Sequence, residues 1–80
     1  ALDVPDDAEI ALRKQITSTT FSIMDKDSMD KGNQALKTLG LPPGATPKET
    51  GLALRRAMRP PTQDRLDGVA KALRSAGLMK

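Results

Sequence analysis

Apolar residues recur at helical spacing in four stretches of this chain, and a polar or Gly/Pro break separates each stretch from the next. The first stretch predicts a helix over residues 7–24. Leu12, Ile16, Thr19 and Ile23 fall on one face of it, and Ile10, Thr17, Phe21 and Met24 fall on the opposite face. Acids at Asp6 and Asp7 suit the positive end of the helix dipole. A helix apolar on both sides is central in a bundle or half-covered by a partner. The run Ile16-Thr-Ser-Thr-Thr-Phe-Ser-Ile23 is also rich in strand-favouring residues, but no partner strand is apparent elsewhere.

Ser28 is expected to cap a second helix over 29–39, with Met29, Gly32, Leu36 and Leu39 on one side and Ala35 at its edge. Gly40 is its expected left-handed terminator, Leu41 packs back on the last turn, and Pro42-Pro43-Gly44 forms a non-helical connection. Thr46-Pro-Lys-Glu49 is the clearest local signal. Thr46 caps, Pro47 takes the first helical position, and Glu49 reaches back as the third residue of a capping box. That third helix is expected over 47–58, stopped by Pro60-Pro61. Thr62 then caps a fourth helix over 63–76, with Leu66, Val69, Ala70 and Leu73 as its stripe and Gly77 as its end. The fold expected is all-α: a small bundle of about four helices with short loops, one domain over 1–80 preceded by a polar tail at 1–7.

Composition narrows what such a bundle does. A chain of 80 residues buries only about 60% of the surface its unfolded form exposes, so its core contributes on the order of 3–5 kcal/mol. There is no cysteine and no histidine, so disulfides and zinc are unavailable as staples. The same absences remove the thiol nucleophile and the commonest general base. Neither a Walker-type nor a Rossmann-type glycine motif is present. The chain is therefore expected to be non-enzymatic, with no catalytic residue, no metal and no cofactor. No apolar run approaches the ~18 residues of a membrane span, so no membrane partner is expected. With no signal-peptide pattern and no cysteine, the expected location is cytoplasmic.

Two phrases resemble known motifs. Asp25-Lys-Asp27-Ser-Met-Asp30 looks like the start of an EF-hand calcium loop. Counting from Asp25, however, Met29, Asp30 and Leu36 occupy places that need a ligand, a glycine and a glutamate. Leu39-Gly-Leu-Pro-Pro-Gly-Ala-Thr-Pro-Lys-Glu49 resembles the segment of J-domain co-chaperones that leads into their basic second helix. The resemblance covers about a dozen of the eighty residues. That family works through a His-Pro-Asp tripeptide in the following loop. Here the loop reads Arg59-Pro-Pro-Thr-Gln-Asp64, so stimulation of a chaperone ATPase is not expected.

Charge points to one surface. Residues 1–40 hold five Lys/Arg and seven Asp/Glu, a net of −2, whereas residues 41–80 hold eight and three, a net of +5. On the third helix Lys48, Leu52, Arg55, Arg56 and Arg59 fall within an arc of roughly 100°. Thr50, Ala53, Leu54, Ala57 and Met58 take the packing side. Arginine forks suit phosphate. The expected function is a helical binding module that meets an anionic partner, duplex DNA, through Lys48, Arg55, Arg56 and Arg59, joined by Arg65. The third and fourth helices would then sit as a helix-turn-helix-like pair. Lys71 and Arg74 are interleaved with Asp64 and Asp67, and Asp67 is expected to pair with Lys71. A solvated polar face would produce the same stripe. The alternative is a small structural or adaptor subunit packing into a larger protein assembly. Ile10, Phe21 and Leu52 are its candidate contacts, and the first helix is a candidate surface for self-association.

Overall fold

Four α-helices follow one another in a computed structural model: α1 (Asp7–Phe21), α2 (Lys26–Thr38), α3 (Pro47–Ala57) and α4 (Gln63–Ser75). The structure describes residues 7–59 and 62–80, with side chains from Glu9 onward. No strand occurs among the described residues, and the fold is a small all-α bundle. The polar tail before Asp7 and the Pro60-Pro61 stop lie outside the described residues.

The β-branched run of α1 is helical through Phe21, with Ile16 and Thr20 buried against the rest of the bundle and its hydroxyls bonded back to the preceding turn. Thr19 Oγ1 donates to the Gln15 carbonyl (2.8 Å) and Thr20 Oγ1 to the Thr17 carbonyl (2.7 Å). The helix ends three residues before the expected Met24. Ser22 Oγ donates to the Thr19 carbonyl at 2.6 Å, and the chain must then become extended to start α2.

That start differs from expectation in a specific way. Asp25, not Ser28, is the cap of α2, with φ −125° and ψ 177°. Ser28 is the third helical residue and completes a capping box. Its N–H donates to Asp25 Oδ1 at 2.8 Å, and its Oγ accepts from the Asp25 N–H at 3.2 Å. The two Ser28 donors, backbone N–H first and hydroxyl second, hold the Asp25 carboxyl below its ordinary value of 3.8. Of the carboxylates in the calcium-like phrase, Asp25 is thus a helix cap, and Asp27 meets Lys31 at 3.6 Å, one turn on.

The later boundaries follow the sequence closely. Gly40 adopts φ +76°, and the Leu41 N–H donates to the Leu36 carbonyl (2.9 Å) while the Gly40 N–H donates to the Lys37 carbonyl (3.0 Å). This is the Schellman pattern. Gly77 repeats it at the end of α4, with φ +84° and Leu78 N–H donating to the Leu73 carbonyl. Thr46 and Thr62 accept from the Glu49 and Arg65 N–H groups, as caps should. Glu49 reaches one residue further than expected, accepting from the Ala45 N–H at 2.9 Å.

α1 and α2 each pack on both α3 and α4, while α3 and α4 touch each other only sparingly. The buried apolar side chains are Ile16 and Ile23 from the α1 region, Ala35 and Leu36 from α2, Leu54 from α3, Leu66, Val69, Ala70, Ala72 and Leu73 from α4, and Ala76 and Met79 after it. Thr20 and Thr50 join them as the buried polar residues. Asn33 ties α2 to the next loop and to α3. Its amide donates to the Gly44 carbonyl (3.1 Å), and its Oδ1 accepts from the Gly44 N–H (2.9 Å) and the Thr50 hydroxyl (2.8 Å). Gly44 has no room for a side chain, since a Cβ would lie 2.5 Å from the Thr50 nitrogen.

Candidate partner-binding surface

The two flanks of α3 have different neighbours. Gly51 is buried against α1, and a Cβ on it would lie 2.7 Å from the Thr20 carbonyl oxygen. A glycine inside a helix costs about 1 kcal/mol relative to alanine, and here it permits that close approach. One turn along, Arg55 closes the same flank. Its guanidinium donates to Thr20 Oγ1 at 3.1 Å and lies 4.0 Å from the centroid of the Phe21 ring. Arg55 is half-buried, and it joins α1 to α3.

Arg56 points elsewhere, because one residue turns a helix by about 100°. It lines an open groove of about 470 Å³ together with Leu52, Ala53, Ala57 and Glu49 of α3. Leu39, Leu41 and Pro42 form the opposing wall, and Arg65 of α4 completes it. The groove exists because α3 and α4 hardly meet, and because the Schellman turn at Gly40 carries Leu41 and Pro42 back beside α3. Asn33 fixes the loop that supplies this wall through Gly44. Leu41 and Leu52 remain 38% and 39% exposed, which is high for leucines flanking a cleft that the chain itself leaves open.

Of the four cations of the α3 stripe, Arg56 alone lines the groove, where Arg65 joins it from α4; Arg55 is engaged on the opposite flank, and Lys48 and Arg59 are exposed. Arg65 therefore belongs with Arg56 although nine residues and a turn separate them. α3 and α4 meet only sparingly, and each rests mainly on α1 and α2. On α4, Asp67 accepts from Gln63 Nε2 at 2.9 Å rather than pairing with Lys71.

The three apolar candidates are all accessible but lie in three separate places. Leu52 sits in the groove. Phe21, 61% exposed, stands at the end of α1, followed by Met24 at 78%. Ile10 is three turns away on α1, beside a shallow cleft shared with Arg13, Lys14 and Thr17. The reading by helix faces missed Leu39, Leu41 and Pro42 as groove walls. Gly51 carried a usable signal, a glycine inside a capped helix, which marks a close approach.

Compared with protein-family models, with curated proteins and with solved structures, the chain matches none of them.

Proposed function

We propose that this chain is a non-enzymatic adaptor module that binds a partner protein through the groove between α3, α4 and the loop after α2. The observation that supports this reading is the composition of the groove: leucine, proline and alanine walls with Arg56 and Arg65 beside them. An apolar centre with a charged border is the anatomy of a protein contact. It calls for a partner segment with large apolar side chains flanked by carboxylates.

A second reading, duplex DNA, rests on the exposure of Lys48, Arg56, Arg59 and Arg65. It ranks lower here because Arg55 is engaged with Thr20 and Phe21, and because aliphatic walls offer nothing to phosphate. Four neutralised phosphates would give a slope of log affinity against log salt near −3.6, at about −0.9 per contact.

One experiment separates the two. The native particle mass of the wild-type chain is compared with that of Leu52→Asp, and each is titrated with a duplex at several salt concentrations. The adaptor reading expects a wild-type complex that Leu52→Asp abolishes while the variant stays folded. An intact complex with Leu52→Asp overturns it. A wild-type chain that is alone but binds duplex with a steep salt slope replaces it with the DNA reading.

A further inference from the structure

On α3 the groove is lined by Glu49, Leu52, Ala53, Arg56 and Ala57. These positions recur at i, i+3, i+4, i+7 and i+8, one stripe along the helix, about 12 Å long at roughly 1.5 Å per residue. Ala53 and Ala57 have the smallest side chains of the stripe. Leu52 and, from the opposing loop, Leu41 are the large and partly exposed ones.

That loop has no free backbone donor from Leu41 to Ala45. The Leu41 N–H donates to the Leu36 carbonyl, and Pro42 and Pro43 have no N–H. The Gly44 N–H donates to Asn33 and the Ala45 N–H to Glu49. An extended segment in the groove would therefore bury carbonyls without partners. Nor is there a strand edge for it to join among the described residues. A helix brings its own backbone hydrogen bonds with it.

The charges of the groove are graded along α3. Glu49 stands in the first turn, and its carboxylate accepts from the Ala45 N–H. Arg56 stands in the last turn. Arg65 is the third residue of α4, just beyond the short connection that follows α3. Neither Arg56 nor Arg65 has an acceptor or an ion-pair partner among the described residues, and both are exposed. One end of the groove thus holds two uncommitted guanidiniums, and the other an engaged carboxylate. Helices favour acids in their first turn and bases in their last. A second helix matches this gradient when it runs opposite to α3.

Resting on the reading of the groove as a protein-binding surface, we propose that its occupant is an amphipathic helix of a partner protein, antiparallel to α3, with carboxylates in its first turn beside Arg56 and Arg65. Its apolar side chains, at i, i+3 or i+4, and i+7, seat over Ala53 and Ala57 between Leu41 and Leu52. The carboxylate–arginine contact weakens as salt rises.

The probe is a synthetic helix of about 15–20 residues, cross-linked to hold its fold, since free helices of this length are marginal. It has leucines at the stated spacing, glutamates in its first turn and a nitroxide label at its N-terminus. It is titrated into the full chain while methyl and amide signals are recorded. The Leu39, Leu41 and Leu52 methyls are expected to shift, and the label to broaden the Ala57 amide more than the Glu49 amide. Arg56→Glu is expected to weaken binding at least tenfold, with circular dichroism melting confirming its fold. A probe with lysines in place of the glutamates is expected to recover binding to Arg56→Glu. Groove methyls that stay fixed overturn the proposal, as does stronger broadening at Glu49 or an Arg56→Glu chain that binds the first probe as well as wild type. If the probe is ignored yet the chain enters a complex that Leu52→Asp abolishes, the helical occupant is ruled out and the adaptor reading stands.

Discussion

The two flanks of α3 start from the same sequence pattern and end in opposite conditions. Toward α1 the helix is closed: Gly51 brings the backbones together, and Arg55 joins Thr20 and the Phe21 ring. Toward α4 it is open: Leu52, Ala53, Arg56 and Ala57 border a groove that the chain leaves unfilled. Arg55 and Arg56 are adjacent and chemically identical, yet one is a packing residue and the other is left for a partner. The arc of a helix wheel assigns both to a polar stripe. What separates them is the position of α1, which the wheel does not contain.

The largest break in this contrast comes from Gly51 and Ala53. Gly51→Leu forces a side chain into the Thr20 backbone and should cost about 3 kcal/mol, comparable with the whole stability of a core this size. Ala53→Leu extends into open space and should stay within about 0.5 kcal/mol of wild type. Urea unfolding of both variants measures the difference, and equal losses would erase the distinction between the flanks.

The groove wall itself depends on Asn33. Asn33→Ala leaves the Gly44 N–H and the Thr50 hydroxyl without their acceptor and should cost about 1–3 kcal/mol. Amide exchange should speed up over residues 40–46 more than at Leu73 or Leu36. Uniform acceleration would mean that Asn33 supports the core rather than the loop.

Arginine replacement sharpens the contrast at a finer scale. Arg55→Ala should lower stability by about 1 kcal/mol, through the lost ring contact and hydrogen bond. Arg56→Ala should change stability by less than about 0.5 kcal/mol, while weakening assembly. Thermal melting and sedimentation of the two variants read these separately.

The smallest effect expected is electrostatic and lies at the start of α2. Asp25 has a folded pKa lowered by the Ser28 N–H and hydroxyl. A depressed carboxyl contributes stability above its unfolded value and loses it as pH falls through the folded one. Wild type and Asp25→Asn should therefore differ most near neutrality, and the gap should narrow as the solution is acidified below about pH 4. A gap that widens on acidification would contradict the capping geometry.

These outcomes also mark what the sequence carried. Caps and stops are local chemistry, so Thr46, Thr62, Gly40 and Gly77 were legible at the residues where the structure uses them. Ser28 was read as the cap of α2 where Asp25 takes that place, because the start of α2 turns on where α1 ends. That end is set by the Ser22 hydroxyl and by burial of Ile23. The exposure of Phe21, Ile10 and Leu52 could be read from helix faces. The groove could not, because its walls come from two helices and a loop whose meeting depends on Asn33 holding Gly44.

The central claim is that the open flank of α3 is a contact surface and the closed flank is structure. Methyl chemical shifts of the chain alone and in the complex it purifies with test it most directly. The methyls of Leu39, Leu41 and Leu52 should move together on complex formation, while those of buried Leu54 and Leu66 hold still. Groove methyls that stay fixed on complex formation, or shifts confined to Ile10 and Thr17, would contradict it.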